Sequence, residues 1–317
     1  MKRYFLKIAS CFFILLMCFN NSFSQEKEIK YGKISEGKRS FVDSNKMGFV
    51  DSNGKLLILP TFFYPEYCDD EMPYFKDGLC LFYEINDSSE NSSSFNYGFI
   101  NTKFEIVIPA IFQYWGFYCD GFPAQFIDGR AIVSQSSTSY ILIDKQGNSI
   151  GSPFGYSIGY NAACLYYPEI SEGLIAASND DHKFGYLNPR NGNVTIPFKF
   201  SLAGPFSEGL AVVEYNHQYI SFIDKSGNNI TNKRYYTKKR NSKNWSLYNG
   251  TNDEGGGDGH PGKFIDGKVI IRYYDNEGYG KLTFAIIDKK GNVIKKSTYE
   301  KYMDDPEFKK IIDLGNR

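Results

Sequence analysis

Residues 206–227 read FSEGLAVVEYNHQYISFIDKSG and contain both signals that decide the fold. The stretch opens with an aromatic residue, an acid and a glycine, and it continues into an apolar run. It ends with an apolar pair followed by Asp224, two polar residues and Gly227. Asp-x-x-Gly between apolar runs predicts a turn, because the Asp side chain accepts nearby backbone hydrogen bonds and Gly adopts the left-handed conformation at low cost. The stretch therefore predicts a β-hairpin that follows a tight corner.

Both signals recur along the chain, and the turn signal occurs six times. Two copies have Asn101 or Asn188 in place of the acid, and the other four contain the pairs Asp51 and Gly54, Asp144 and Gly147, Asp224 and Gly227, and Asp288 and Gly291. The corner signal stands at residues 75–78, 126–129, 170–173, 206–209 and 264–267, with a weaker copy at 35–37. The chain therefore consists largely of about six internal repeat units.

Three short strands cannot bury an apolar face alone, so neighbouring units must pack on each other. We expect an all-β fold of tandem repeats, in which short antiparallel strands and hairpins form a curved array. The array is expected to be open and solenoid-like, and a closed, propeller-like ring is the alternative. Because proline cannot donate to a β-ladder, Pro60, Pro109 and Pro197 are expected to end the last strand of their units.

The two ends of the chain differ from the repeats. Residues 1–24 combine a basic start with an uncharged apolar run and small residues before Gln25, which is typical of a signal peptide. Residues 25–304 form the predicted repeat domain. Asp305 followed by Pro306 is typical of a helix start, so residues 305–317 are expected to hold a short C-terminal capping helix and tail.

Charge and hydropathy exclude two classes of partner. Removal of residues 1–24 takes away Lys2, Arg3 and Lys7 and no acid, so the mature chain has a small net negative charge. That balance argues against nucleic acid as a partner. No second long apolar stretch follows, so no transmembrane span is expected in the mature chain. The predicted location is exported: periplasmic, cell-surface or secreted.

These residues resemble the WG-repeat family of exported bacterial β-repeat proteins. The stretches 184–197 and 206–213 are close to the family pattern, and the resemblance extends over residues 35–294. The signature Trp before Gly is absent, because Met47, Tyr97 and Phe184 stand in that position. The resemblance implies a binding or interaction module without a general activity.

No motif for catalysis, metal or cofactor emerges from the chain. His182, His217 and His260 lie in separate loops. The stretch 252–260 is acidic and Gly-rich, but it does not fit an EF-hand loop. Such a loop needs Glu at its twelfth position, and counted from Asn252 that position is Lys263. The predicted function is therefore a non-catalytic exported scaffold that binds an unknown protein or glycan. The alternatives are a secreted, glycosidase-like hydrolase with acids such as Asp128 and Glu172 from different repeats, and a passive envelope spacer.

Aromatic residues outside the repeat positions are the predicted ligand contacts, because exposed rings stack on sugars or peptide side chains. They are Tyr114, Trp115, Trp245 and Tyr248. Cys68 and Cys119 each follow a tyrosine and lie ten residues before a corner glycine, so they hold equivalent positions in adjacent repeats. An exported protein meets oxidising conditions, so a Cys68–Cys119 disulfide is a second prediction, with two small buried side chains as the alternative.

Overall fold

The computed structural model describes residues 29–65, 72–85, 95–113, 124–136, 138–155, 168–238 and 262–315. Antiparallel strands make up most of these ranges. The strands are β1 Lys30–Ser35, β2 Lys38–Asp43, β3 Lys46–Asp51, β4 Leu56–Phe63, β5 Leu79–Ile85, β6 Phe95–Asn101, β7 Ile106–Gln113, β8 Arg130–Ser134, β9 Ser139–Asp144, β10 Ser149–Gly155, β11 Ile170–Ser171, β12 Leu174–Ser178, β13 Phe184–Leu187, β14 Val194–Phe200, β15 Leu202–Ala203, β16 Leu210–Tyr215, β17 Tyr219–Asp224, β18 Tyr235–Tyr236, β19 Lys268–Tyr274, β20 Leu282–Asp288 and β21 Val293–Ser297.

Each repeat contributes three of these strands in sequence order. The six repeats are β2–β4, β5–β7, β8–β10, β12–β14, β16–β18 and β19–β21, numbered 1 to 6 below. The first strand leaves the acid-Gly corner, the middle strand returns beside it, and the last strand follows the Asp or Asn turn. Successive repeats share few pairs, and β4 meets β5 only at Phe63 and Tyr83. The predicted all-β array of short antiparallel strands is confirmed.

One hydrophobic core runs through all six repeats, from Met47 in β3 to Ile287 in β20. The middle strands are the most buried elements, and in β17 four consecutive residues from Ile220 to Ile223 are fully buried. A middle strand in the array therefore buries both faces, one against the preceding repeat and one against the next. This arrangement makes each repeat depend on its neighbours for stability.

The prediction that proline ends the last strand is wrong. Pro60, Pro109 and Pro197 lie inside β4, β7 and β14. In each case three residues of the last strand face a single glycine of the middle strand, as at residues 197–199 opposite Gly185. This three-residue bulge interrupts the hydrogen-bond ladder between the two strands. The missing N–H of proline therefore removes no ladder hydrogen bond there.

The same bulge explains the glycine of the repeat. A Cβ added to Gly185 would stand 2.6 Å from the Ile196 carbonyl oxygen, and a Cβ on Gly48 would stand 2.8 Å from that of Ile58. The backbones of the two strands approach too closely for any side chain. Glycine is therefore required by packing between strands rather than by a positive φ angle.

Two short helices close the C-terminal end: α1, Tyr299–Tyr302, and α2, Pro306–Gly315. The predicted N-cap is present, because the Asp305 carboxylate accepts a 3.0 Å bond from the Glu307 N–H. Phe308 and Ile311 of α2 pack on Phe284 and Ile286 of β20, whereas Ala285 and Ile287 on the other face join the main core. The helix thus covers the face of the last sheet that a seventh repeat would otherwise cover.

The array is open in its strand pairing. Within the described ranges, no strand of repeat 1 pairs with or packs extensively against a strand of repeat 6. None of the helices in those ranges has the length and apolar character that crossing a bilayer requires.

The bulge predicts a large effect of Gly185→Ala. The added methyl group must displace the backbone of β14, and overpacking of this kind costs about 2–3 kcal/mol. Urea denaturation followed by fluorescence measures the loss. Ala285 stands at the matching position of repeat 6, where no three-residue bulge faces it. Ala285→Gly is the control and should cost less than about 1 kcal/mol. Equal losses in the two variants would contradict the close-approach argument.

Candidate functional site

The turn residues predicted from the sequence form turns at all six positions, of which five are equivalent and the sixth, at Asn188, is one residue longer. Asp51 accepts 2.9 Å hydrogen bonds at Oδ1 from the N–H groups of Asn53 and Lys55. The same pair of bonds is made by Asp144, Asp224 and Asp288, and by Asn101. The turn glycines Gly54, Gly147, Gly227 and Gly291 have φ angles of 77–84°. In Asp224 the bond from the Asn228 N–H is the main cause that lowers the pKa of the carboxyl. These acids are occupied with holding the turns.

The corner acids link one repeat to the next. In every corner both the acid and the glycine have positive φ angles, as Glu208 (53°) and Gly209 (85°) do, so the turn is a tight two-residue type. This geometry exposes the glycine N–H, which donates to the corner acid of the preceding repeat. The donors and acceptors are Gly78 to Glu36 (3.0 Å), Gly129 to Asp77 (2.7 Å), Gly209 to Glu172 (3.0 Å) and Gly267 to Glu208 (2.9 Å).

A lysine from the Asp turn strengthens three of these junctions. Lys145 Nζ donates to the Asp77 carbonyl oxygen at 2.5 Å. Lys225 reaches the carbonyl oxygen and the carboxylate of Glu172, and Lys289 does the same at Glu208. Each lysine thus binds the corner of the preceding repeat.

A third contact packs an aromatic pair, tilted or edge to face, across the four junctions that have the corner bond. The ring that follows the bulge glycine of one repeat, or Ser221 in repeat 5, packs on the corner phenylalanine of the next. The pairs and their centroid separations are Phe49 and Phe75 (5.3 Å), Phe99 and Phe126 (4.9 Å), Tyr186 and Phe206 (4.8 Å), and Phe222 and Phe264 (5.1 Å). Such pairs add about 0.5–1.5 kcal/mol beyond the area that they bury.

The junction between repeats 3 and 4 lacks all three contacts. No hydrogen bond joins the Gly173 N–H to Asp128, alone among the described junctions, and Arg130 instead donates to the Asp128 carbonyl oxygen at 2.7 Å. Pro189 stands where repeats 3, 5 and 6 carry the bridging lysine. Leu142 and Ile170 occupy the aromatic positions. Among the described junctions, this one alone lacks the corner bond, the bridging lysine and the aromatic pair together.

A cleft opens at this junction between the last strands of the two repeats. Strands β10 and β12 meet only at Gly155 and Ser178. Further along, Gly151 touches Gly192, and a Cβ on Gly151 would stand 2.8 Å from the Gly192 Cα. Between these two contacts β10 and β14 diverge and enclose a cleft of about 690 Å³.

The cleft has an apolar floor and polar walls. Phe154, Leu187 and Phe198 provide apolar surface. The polar groups belong to Thr138, Ser139, Ser152, Ser178, Asn179, Asp180, His182 and Asn193. Asp180 and His182 come from the exposed loop between β12 and β13, where His182 has a φ angle of 55°. The site therefore offers many hydrogen-bonding groups beside a hydrophobic surface.

The sequence profile of the WG containing repeat family matches residues 97–122 and 184–219. Two regions of the chain therefore match the WG containing repeat. The matched regions are the middle and last strands of repeat 2, and the stretch from the middle strand of repeat 4 to the start of β17. They are narrower than the span of residues 35–294 over which the resemblance was predicted, and they include the degenerate WG positions Tyr97 and Phe184.

Comparisons with individual proteins give low sequence identity. The urease accessory protein UreE of Corynebacterium glutamicum is 25% identical over 124 residues, which cover 32% of this chain and 78% of that protein. Among solved structures, the computationally designed Ika8 protein has 9% identity and a TM-score of 0.41 over 84% of this chain and 72% of its own. BamB from Moraxella catarrhalis has 10% identity and a TM-score of 0.37 over 85% and 76%. These scores are too low to support an inference about function.

A serine, a histidine and a carboxylate lie together in the array, at Ser201, His217 and Glu214. Ser201 Oγ lies 3.2 Å from Glu214 Oε2 and accepts a 2.8 Å bond from the His217 backbone N–H. The His217 imidazole also faces Glu214, with Nδ1 at 3.4 Å from Oε2. A serine nucleophile needs its hydroxyl against the imidazole, whereas both groups here lie on the carboxylate. The arrangement therefore closes the hairpin between β16 and β17.

The residues predicted to contact ligand lie outside the described residues. This holds for Tyr114, Trp115, Trp245 and Tyr248, for the predicted disulfide partners Cys68 and Cys119, and for His260. Cys80 is described as a free buried cysteine, and its burial raises the pKa of the thiol. Among the described residues, no group of three or more His, Cys, Asp or Glu side chains is placed to hold a metal ion.

Sequence reasoning missed the cleft between repeats 3 and 4, although repeat 3 carries a signal of it. Ile141 takes the place of the middle-strand glycine, and the last strand contains Gly151, Ser152 and Pro153 at the bulge. Pro189 then replaces the bridging lysine in repeat 4. Departures from a repeat pattern that cluster at one junction indicate a specialised position.

The corner contacts predict a pH-dependent loss of stability in Glu208→Gln. Partial burial opposes ionisation of Glu208, but the bonds from Lys289 and the Gly267 N–H outweigh it and lower the pKa of the carboxyl. Stability from such a group is present above its unfolded pKa, about 4.3, and is lost as the pH falls through the folded pKa. Glu208→Gln should therefore cost about 1 kcal/mol at pH 7, and its difference from wild type should shrink below about pH 4.

Asp266→Asn is the matched control for this effect. Asp266 is the corner acid of the last repeat, and its described ion pair is a 3.9 Å contact with the exposed Lys310. Loss of the Asp266 charge should change the urea midpoint of unfolding little at any pH. A Glu208→Gln variant as stable as wild type at pH 7 would mean that the corner bonds do not hold the repeats together.

Proposed function

We propose that the chain is an exported, non-catalytic WG-repeat scaffold that binds a protein or glycan ligand in the cleft between repeats 3 and 4. One observation carries the proposal: the junction that lacks all three inter-repeat contacts opens into a polar cleft. Omission of these contacts costs stability, and a binding role accounts for that cost.

The size and lining of the cleft support ligand binding. A cleft of about 690 Å³ lies within the range of roughly 300–1,000 Å³ found for small-ligand pockets. Its apolar floor supplies the area that ligand burial needs, and its convergent hydroxyl and amide groups supply orientation. Strand β10 contacts repeat 4 at two points, where Gly151 lies against Gly192 and where Gly155 pairs with Ser178. The cleft between these points is therefore built on strands that are held in place.

The occupied carboxylates favour a binding role over hydrolysis. A glycosidase needs two carboxylates that face each other across a cleft. The carboxylate that lines this cleft in the described chain is Asp180. The turn acids accept backbone hydrogen bonds, and the corner acids Glu36, Asp77, Glu172 and Glu208 bind the next repeat. A secreted hydrolase would need acids that are free for chemistry.

Export rests on residues 1–24, and the N-terminus of the protein recovered from cells tests it. The basic start, apolar run and small residues before Gln25 predict that the exported protein begins at Gln25. N-terminal sequencing of protein from the periplasmic, surface and culture fractions should find this start. Recovery only from the soluble cell interior, with Met1 retained, would contradict export.

A bulky substitution in the cleft tests the binding proposal. Ser152 lies on the exposed bulge of β10 and lines the cleft, so Ser152→Trp should block it without disturbing the core. Purified protein is tested on an array of immobilised oligosaccharides and peptides. We expect the variant to lose the binding seen with wild type by at least tenfold, because the indole occupies the ligand volume.

Thr61→Trp is the matched control, since Thr61 is an exposed residue of the bulge in repeat 1. It should bind like wild type. Unchanged binding in Ser152→Trp, or the absence of any bound probe with wild type, would overturn the proposal that the cleft is the ligand site.

A further inference from the structure

We infer that the ligand of the cleft is a neutral saccharide, an inference that rests on the proposed function. It follows from three properties of the described cleft residues: their charge, the irregular backbone of β10, and the pairing of apolar surface with hydroxyl and amide groups. Each property excludes or favours a class of ligand.

The charge of the lining excludes strongly acidic ligands. Neither Lys nor Arg is among the described residues that line the cleft. Phosphate and carboxylate groups are bound in proteins chiefly by Arg and Lys side chains or by helix N-termini, and the described walls are strands and turns. The charged or titratable residues here are Asp180 and His182. A ligand with several negative charges would meet no compensating cation.

The backbone of β10 disfavours an extended peptide. Peptides that bind to sheets add a strand to a free edge through a continuous series of backbone hydrogen bonds. In β10 the register breaks between Ile150 and Phe154. Pro153 lies within this break and has no N–H to donate. The break lies in the pairing of β10 with β9, and the same bulge makes the β10 backbone irregular beside the cleft, so a regular ladder with a bound peptide is disfavoured there.

The remaining groups fit a sugar. A saccharide presents an apolar ring face and a rim of hydroxyl groups that both donate and accept hydrogen bonds. Phe198 is partly exposed in the cleft and offers a ring surface, whereas the Asp180 carboxylate and the Asn193 amide are exposed on its walls. Residues Ile150 to Gly155 lie opposite Leu142 to Ser139 of β9, which is three strand steps, about 10 Å. That length admits a short oligosaccharide along β10.

Titration of the purified protein with three probe sets tests the inference: neutral oligosaccharides, sulfated or uronic acid oligosaccharides, and extended peptides. We expect the neutral set to bind and the other two to bind at least tenfold more weakly. Asp180→Ala combined with Asn193→Ala should weaken saccharide binding by at least tenfold, because both side chains are exposed on the cleft walls and not part of the core.

Asp181→Ala is the matched control, because Asp181 is the exposed neighbour of Asp180 in the same loop and does not line the cleft. It should bind saccharide like wild type. Binding of peptides or anionic sugars in preference to neutral ones, blocked by Ser152→Trp, would overturn the saccharide inference and leave the cleft as the ligand site. Saccharide binding that Asp180→Ala with Asn193→Ala leaves unchanged would also overturn it. Binding that Ser152→Trp does not affect would instead remove the site itself.

Discussion

The hydrogen bond from a corner glycine N–H to the corner acid of the preceding repeat is the contact on which the array depends. Both residues of the corner must have positive φ angles for the N–H to point toward the preceding repeat, as Gly209 and Gly267 show. The acid therefore stabilises the junction through its carboxylate and accepts the strain of a left-handed backbone. The bridging lysine and the aromatic pair follow from this geometry, because both contact the same corner. The chain thus builds each repeat around a local turn and a bond to its neighbour.

Sequence reasoning predicted the parts of this structure that arise within a few residues. The Asp-x-x-Gly turns are local, since Asp51 binds N–H groups only two and four residues further on. The helix start at Asp305 is local for the same reason. The role of proline was misjudged, because the bulge that tolerates Pro197 exists only through its partner Gly185 on another strand. The corner bonds span 37 to 59 residues and have no signature apart from the acid and the glycine themselves.

The candidate site is a junction property, and this explains why a single sequence conceals it. The cleft residues form no ligand-binding motif in the sequence, and the walls of the cleft come from two different repeats. The absence of contacts between repeats 3 and 4 becomes visible only when the other junctions are compared. Pro189 in place of a lysine is the clearest trace in the sequence, but its meaning depends on knowing that Lys145, Lys225 and Lys289 reach the preceding corner. Structure supplied that knowledge.

The position of the junction between repeats 3 and 4 limits its cost. It divides the array into repeats 1–3 and repeats 4–6, and each half keeps two junctions with a packed aromatic pair. Repeat arrays need about three units to bury a continuous core, so each half meets this requirement on its own. The second half is also closed by α2, whose Phe308 packs on Ile286 where another corner phenylalanine would lie. A cleft placed nearer either end would leave one or two units poorly buried. The centre is therefore where such an array can best omit a junction's contacts in exchange for a ligand site.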